Sequence, residues 1–229
     1  MSTQTHRTLT AHLAGADIRL GVFQGREHLV APVVLMLGDI VVEPVTGDGL
    51  GEFVPADVLQ QAPSQWDGRP VIPGHPPTGS ANTRQRLEAR QFGVLFGTRF
   101  ERGRLLSEAW LDPVKAEQIG PDAVSVIERL RRGESVEISV GAWVTLEEMQ
   151  GTAGGKEFAR RWLHLAADHL AMLEPGKHGA CSVADGCGAP RMFAAHQHHQ
   201  QTEDKSMTPE EIHAAVQALR AEMARARRP

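Results

Sequence analysis

Ser139 is the first candidate for chemistry in this sequence. It lies in VEISVGAW, residues 136–143, where apolar residues alternate with polar or small ones, as in a strand with one buried face. Ser139 is on the other face, two residues before Gly141. A serine there is ordinarily only solvated. Its hydroxyl becomes a nucleophile when a base takes its proton and a third group orients that base.

Histidine is the residue type best suited to serve as that base. His75 lies in the loop WDGRPVIPGHPPTG, where prolines can hold a side chain ready, although it could equally bond to backbone carbonyls. His164 and His169 are five residues apart, which separates them on a strand and on a helix, so only one of them is expected to serve a site. His169 could also be a satisfied core histidine. The four histidines outside the N-terminal part and the C-terminal tract are His75, His164, His169 and His178.

Short strands and helices are predicted around these candidates. The segment FARRWLHLAADHLAMLEPGKHG has helical composition but a length and position that also suit a strand, so the sequence leaves both structures open. The other predicted elements are β-type runs over 17–54, a brief helix in VPADVLQQAP closed by Pro63, a β-hairpin over 91–111, and helical sequence over 112–134, with Pro121 and Asp122 near a start and Gly133 as the stop.

Composition describes an ordinary globular chain of 229 residues with 41% hydrophobic and 23% charged residues. A formal net charge of -4 provides no field that would collect nucleic acid, and the longest apolar run is too short to span a membrane. The N-terminus lacks the apolar segment of a secretory signal, so a reducing cytoplasm is expected. Cys181 and Cys187 are therefore predicted to be thiols, and two cysteines alone do not make a zinc site.

The ends of the chain differ in character from its middle. Residues 1–14 are predicted to be a disordered N-terminus. The polar tract AAHQHHQQTEDKS predicts a flexible linker over 193–206, since it has almost nothing to bury. Residues 207–229 then predict an amphipathic helix that begins with a capping box at Thr208.

Four stretches in order give the chain a resemblance to the phage prohead proteases, in particular to a group of phage head proteins described by a domain of unknown function. The stretches are WDGRPVIPGHP, EISVG, DHLAML and GACSVADGCGAP, and the resemblance covers about residues 30–191. The order His, Ser, His is also distantly similar to that of the herpesvirus assemblins, whose triad is a serine with two histidines.

The resemblance implies a role for each candidate residue. Ser139 would be the nucleophile, His75 the general base, and His169 the second histidine that orients the first. An imidazole in third place stabilises a developing imidazolium less than a carboxylate would, so a slow enzyme is expected. Gly176 and Lys177, in the interval where assemblins carry their oxyanion loop, would supply backbone donors, although lysine stands where arginine is expected.

The implied fold is α+β and mainly β, a small antiparallel β-barrel surrounded by helices over residues 15–192. In that fold the segment around His169 is a strand. The implied function is a serine endopeptidase of phage head maturation that cleaves scaffold and capsid proteins and itself, inside the procapsid in the host cytoplasm. No cofactor, metal, membrane or nucleic acid is expected, and a homodimer remains an open alternative. The C-terminal tail would be scaffold-like, and the linker before it a cleavage site.

Two other classes of protein fit parts of the same sequence. A non-catalytic capsid assembly module could use the barrel and the C-terminal helix only for binding. A metal-dependent hydrolase could draw on His75, His169, Cys181 and Cys187, but no pair of these has zinc-ligand spacing and no HExxH motif is present.

Overall fold

A computed structural model describes residues 4–13, 18–42, 51–77 and 79–177. All of them belong to the first of two units into which the chain divides, Met1–Phe193 and Ala194–Pro229. The predicted linker, the predicted helical tail and the segment containing Cys181 and Cys187 lie outside the described residues.

The described residues form ten strands and five short helices. The strands are β1 Gln4–Leu13, β2 Arg19–Phe23, β3 Arg26–Leu37, β4 Ile40–Val42, β5 Glu52–Val54, β6 Pro70–Pro73, β7 Gly93–Glu101, β8 Arg104–Leu111, β9 Val136–Ala153 and β10 Lys156–Met172. The helices are α1 Ala56–Gln60, α2 Pro63–Trp66, α3 Arg84–Arg90, α4 Pro113–Ile119 and α5 Pro121–Arg131. No helix in these ranges is long and apolar enough to cross a membrane.

The strands belong to one mixed sheet in the order β4, β5, β10, β6, β7, β8, β3, β1, β9, with β2 paired to β3. Most neighbours are antiparallel, but β10 runs parallel to both β5 and β6. β9 and β10 also pair with each other as a long hairpin. The fold is therefore a sheet-dominated α+β fold, in agreement with the predicted class.

The β9–β10 hairpin resolves the ambiguous segment of the sequence. Its turn contains Gly154 and Gly155, both with positive φ, which returns the chain so that β10 pairs along most of β9. The segment around His169 is thus a strand, as the family resemblance implied and against its helical composition. Local helix propensity is a weak preference that pairing along a long partner strand overrides.

The core face of β9 is the one that the alternating pattern predicted. Val136, Ile138, Val140, Ala142 and Val144 are completely buried. The opposite face is buried around Ser139 as well, since this residue is only 1% exposed. A serine at this position is therefore not a solvated surface residue.

Two local expectations are corrected by the structure. Residues Gln4–Leu13, predicted to be disordered, form β1 and pair along their length with β9. The segment contains several threonines, and backbone pairing to a neighbouring strand orders it without a hydrophobic run. Pro63, expected only to close a helix, instead occupies the first position of α2, where its missing N–H costs nothing.

Candidate active site

His75 is held at the end of β6 by the pairing of that strand with β10. The parallel ladder extends past Pro73, because the amide of Gly74 donates to the carbonyl of Met172 at 2.8 Å. Gly74 has φ +61°, a conformation that favours glycine, and it turns the chain into the His75 loop. Helix α3 supports the same loop through Arg90, whose guanidinium donates to the carbonyl of Pro73.

His169 lies directly across the β9–β10 hairpin from Gly141. Its imidazole covers this glycine so closely that a Cβ at position 141 would be 2.1 Å from the ring atom Cε1. Ser139 and Gly141 are two residues apart on β9 and therefore share a face. The glycine of the Ser-x-Gly motif thus makes room for a histidine ring on the face that carries the serine.

The two predicted histidines are in contact. Nδ1 of His75 and Nε2 of His169 are 2.8 Å apart, a hydrogen-bond distance. The rings meet edge to face at an interplanar angle of 71°. His169 is completely buried, while His75 is partly exposed and its second ring nitrogen, Nε2, is buried. This pairing is the arrangement that a base and its orienting histidine require.

Asp168 adds a carboxylate that the sequence did not single out. Its Oδ2 is 2.6 Å from Nδ1 of His169, the nitrogen on the far side of the ring from His75. Neighbouring residues of a regular strand point to opposite faces, but a register shift between Ala167 and His169 inserts Asp168 as an extra residue. This irregularity allows two consecutive side chains to meet.

The carboxylate of Asp168 is buried, and both of its oxygens accept hydrogen bonds from the loop that contains Ser80 and Ala81. Oδ1 accepts a hydrogen bond from the Ser80 hydroxyl, and Oδ2 accepts one from the backbone amide of Ala81 at 2.8 Å. Burial alone would raise the pKa of this carboxyl group, but the hydrogen bonds from His169, Ser80 and Ala81 outweigh it and lower the pKa to about 2. Asp168 is therefore ionised at neutral pH.

This lowered pKa predicts a specific acid sensitivity. A group whose pKa falls on folding contributes stability above its unfolded pKa, 3.8 here, and loses it as the pH falls through the folded value of about 2. The shift corresponds to about 2 kcal/mol. We expect the difference in unfolding free energy between wild type and Asp168→Asn, measured by urea denaturation, to shrink by this amount between about pH 5 and pH 2. A difference that stays constant over this interval would contradict the ionised carboxylate.

Ser139 shares a face of β9 with this group but makes no hydrogen bond to it. Its Oγ atom is buried and has no hydrogen-bond partner among the described residues. A buried hydroxyl without a partner is unfavourable for folding, and such groups are frequent where a side chain serves a reaction instead. The structure thus pairs His75 with His169 and leaves the Ser139 hydroxyl available.

The other histidine and oxyanion candidates are placed differently. His164 is exposed, which leaves His169 as the buried member of that pair.

Gly176 and Lys177 lie in an exposed turn after β10, and the Lys177 amide donates to the carbonyl of Glu174 at 3.3 Å. Their role as oxyanion donors stays a prediction. His178 lies outside the described residues.

Within residues 4–13, 18–42, 51–77 and 79–177, no group of three or more histidine, cysteine, aspartate or glutamate side chains is arranged to hold a metal ion. Cys181 and Cys187, two of the four residues that a metal-dependent hydrolase would draw on, lie outside these ranges. The described residues do form a chain of hydrogen bonds, which runs from the Asp168 carboxylate to His169 and from His169 to His75. Such a chain can orient a base and stabilise positive charge on it.

Comparison with known proteins finds a likeness among solved structures. No protein-family model matches this chain, and no curated protein does. The chain is similar to a solved structure described as that of the bacteriophage T4 capsid assembly protease, gp21. The likeness covers 74% of this chain and 98% of that chain, at 11% sequence identity and a TM-score of 0.48. At this similarity, a functional assignment has to come from the residues of the site itself.

Proposed function

We propose that this protein is a serine endopeptidase in which Ser139 is the nucleophile, His75 the general base and His169 the residue that orients His75. The observation that carries the proposal is the combination of two contacts on one face of the sheet. His75 and His169 are hydrogen-bonded to each other, and the His169 ring covers the glycine next but one to Ser139. The serine hydroxyl on that face is buried and makes no hydrogen bond within the described structure.

The chemistry that follows is acyl transfer. As the Ser139 oxygen attacks the carbonyl carbon of a peptide bond, its proton passes to Nε2 of His75. The same proton is then given to the leaving amine, and water hydrolyses the acyl-enzyme with His75 again acting as base. Ser139 and His75 have to come within hydrogen-bond distance for the first step, and such contacts often tighten only when substrate is bound.

Oxyanion donors for this reaction are proposed in the turn after β10. Gly176 and Lys177 follow the strand that carries His169, and Gly176 has φ +81°, so its peptide groups can be presented in directions closed to other residues. In this role the Lys177 amide would exchange its bond to Glu174 for one to the substrate oxygen. A single turn would then provide the backbone donors that stabilise the tetrahedral intermediate.

The biological setting is proposed from the sequence motifs. The resemblance to phage prohead proteases assigns residues 15–192 to a protease domain, with scaffold and capsid proteins and the chain itself as substrates inside the procapsid. The pairing of β9 with β10 supports a closed barrel made of β10, β6, β7, β8, β3, β1 and β9, the architecture that the resemblance implies. A homodimer is compatible with this proposal.

Incubation with its own head proteins tests this function. We expect the full chain to produce discrete fragments of the scaffold and capsid proteins of the same phage, detected by mass spectrometry, and to cut within residues 193–206. Cleavage should be insensitive to metal chelators, because the proposed chemistry uses no metal ion. Intact head proteins after prolonged incubation would favour the non-catalytic assembly module, and cleavage abolished by chelation would favour the metal-dependent hydrolase.

A further inference from the structure

We propose that Asp168 is the fourth member of this site, a positioning residue whose carboxylate sets the direction of every proton along His169 and His75. This inference rests on the proposed function for its catalytic consequence. Its structural part, the placement of the protons, stands on the hydrogen bonds alone. Those bonds run from Asp168 to His169 at 2.6 Å and from His169 to His75 at 2.8 Å.

The direction of the protons follows from what each group can donate. An ionised carboxylate only accepts hydrogen bonds, so the proton between Asp168 and His169 belongs to Nδ1 of His169. A neutral imidazole then has a lone pair at Nε2, and this atom accepts from Nδ1–H of His75. The remaining nitrogen of His75, Nε2, is left with a lone pair. His75 is thereby held in the tautomer that can take a proton from a serine hydroxyl.

The structure holds Asp168 in place for this task. Its two oxygens take hydrogen bonds from the Ser80 hydroxyl and the Ala81 amide, both in the loop that begins with His75. Helix α3 holds the same loop, because Arg86 donates to the carbonyl of Ser80. The base and the anion behind it are thus fixed by one loop and one strand, which keeps the hydrogen-bond chain aligned.

The charge of Asp168 has a second consequence. When His75 takes the serine proton, the pair of imidazoles carries one positive charge, and Asp168 compensates it while remaining ionised. Asp168 is the charged group hydrogen-bonded to the pair, and on α3 the guanidinium groups of Arg86 and Arg90 donate to the backbone carbonyls of Ser80 and Pro73. His169, an orienting imidazole that is itself hydrogen-bonded to a carboxylate, should therefore support catalysis better than an orienting imidazole alone.

The proton arrangement can be measured without any substrate. In the full chain labelled with ¹⁵N-histidine, NMR at neutral pH identifies the tautomer of each ring from its nitrogen signals. We expect both His169 and His75 to be neutral and protonated at Nδ1. A His169 ring protonated at Nε2 instead would overturn the proposal. Because this measurement needs no activity, the expected tautomers in a protein that cleaves nothing would reject the peptidase function while leaving the orienting role of Asp168 intact.

Asp168→Asn tests the kinetic consequence, because the amide keeps the size of the carboxylate but loses its charge. We expect kcat/KM to fall by about 10- to 100-fold, mostly in kcat, as for outer partners of functional histidines. The acid limb of the pH–rate profile should also move to lower pH, because the anion no longer stabilises the protonated imidazole pair. A merely structural role would not move this limb.

A matched control is available in Asp112. This residue is also a buried aspartate that accepts hydrogen bonds from two backbone amides, at the start of α4, but it has no hydrogen bond to a histidine among the described contacts. Asp112→Asn should leave the pH profile and kcat/KM near those of wild type. An Asp168→Asn enzyme that behaves like this control in rate and pH profile would overturn the proposal. Should Asp168→Asn fail to fold, the tautomers of the wild-type chain decide.

Discussion

Ser139→Ala should reduce the rate of head-protein cleavage by at least about 10³-fold while leaving the fold intact. The loss follows because no other group can form the acyl-enzyme. The fold is expected to tolerate the change because the Ser139 hydroxyl has no hydrogen-bond partner among the described residues. Burying such a group is unfavourable, so the unfolding free energy should be unchanged or raised by about 1 kcal/mol. Cleavage assays and urea denaturation of the same preparation measure both effects.

Ser107 provides the opposite case on another strand. It is also 1% exposed, but its hydroxyl is bonded to Thr98 Oγ1 at 2.8 Å and donates to the Phe96 carbonyl at 3.1 Å. Ser107→Ala should therefore lower the unfolding free energy by about 1 to 2 kcal/mol and leave the cleavage rate nearly unchanged. If Ser139→Ala retains full cleavage, or loses as much stability as Ser107→Ala with no effect on rate, Ser139 is a structural serine.

Gly141→Ala should also abolish activity, although this residue takes no part in the reaction. The new Cβ would be 2.1 Å from Cε1 and 2.4 Å from Nδ1 of His169, so the ring has to leave its place. Leaving breaks the hydrogen bonds to both Asp168 and His75. We expect a loss of activity of about 10³-fold, as when the partner of a catalytic base is removed, and a loss of stability of about 1 to 3 kcal/mol.

Gly151→Ala is the matched control on the same strand. There the added Cβ would be 2.4 Å from the Phe158 ring, in a part of the hairpin ten residues further along β9. This variant should lose stability from overpacking but keep its cleavage rate. Equal losses of activity in the two glycine variants would mean that the effect comes from general destabilisation of the hairpin, not from displacement of His169.

Much of the fold was predictable because the hydrophobic pattern is strong where strands are long. The core face of β9, the hairpin of β7 and β8, and α5 beginning at Pro121 and ending before Gly133 all follow from alternation, helical spacing and turn residues. β1 could not be foreseen in the same way. Its pairing with β9 and β3 is a long-range contact, and its sequence has no continuous apolar run.

The candidate site was predictable only in part. The residue types of Ser139, His75 and His169 and their order in the chain predicted that the three side chains form one site. The structure brings the two histidines into contact. Asp168 was missed because strand alternation places it on the opposite face from His169. The irregularity that brings the two side chains together has no signature in the sequence. The adjacent letters Asp-His were the one available signal.

Reaction with a serine-directed phosphonate, followed by mass-spectrometric mapping of the modified residue, tests the central assignment most directly. The full chain should be labelled at Ser139, and labelling should be lost in Ser139→Ala and strongly slowed in His75→Ala, because the reagent requires a serine activated by its base. Ser107 should remain unmodified. Failure to label Ser139 in a correctly folded chain, or labelling that is indifferent to His75, would contradict the account.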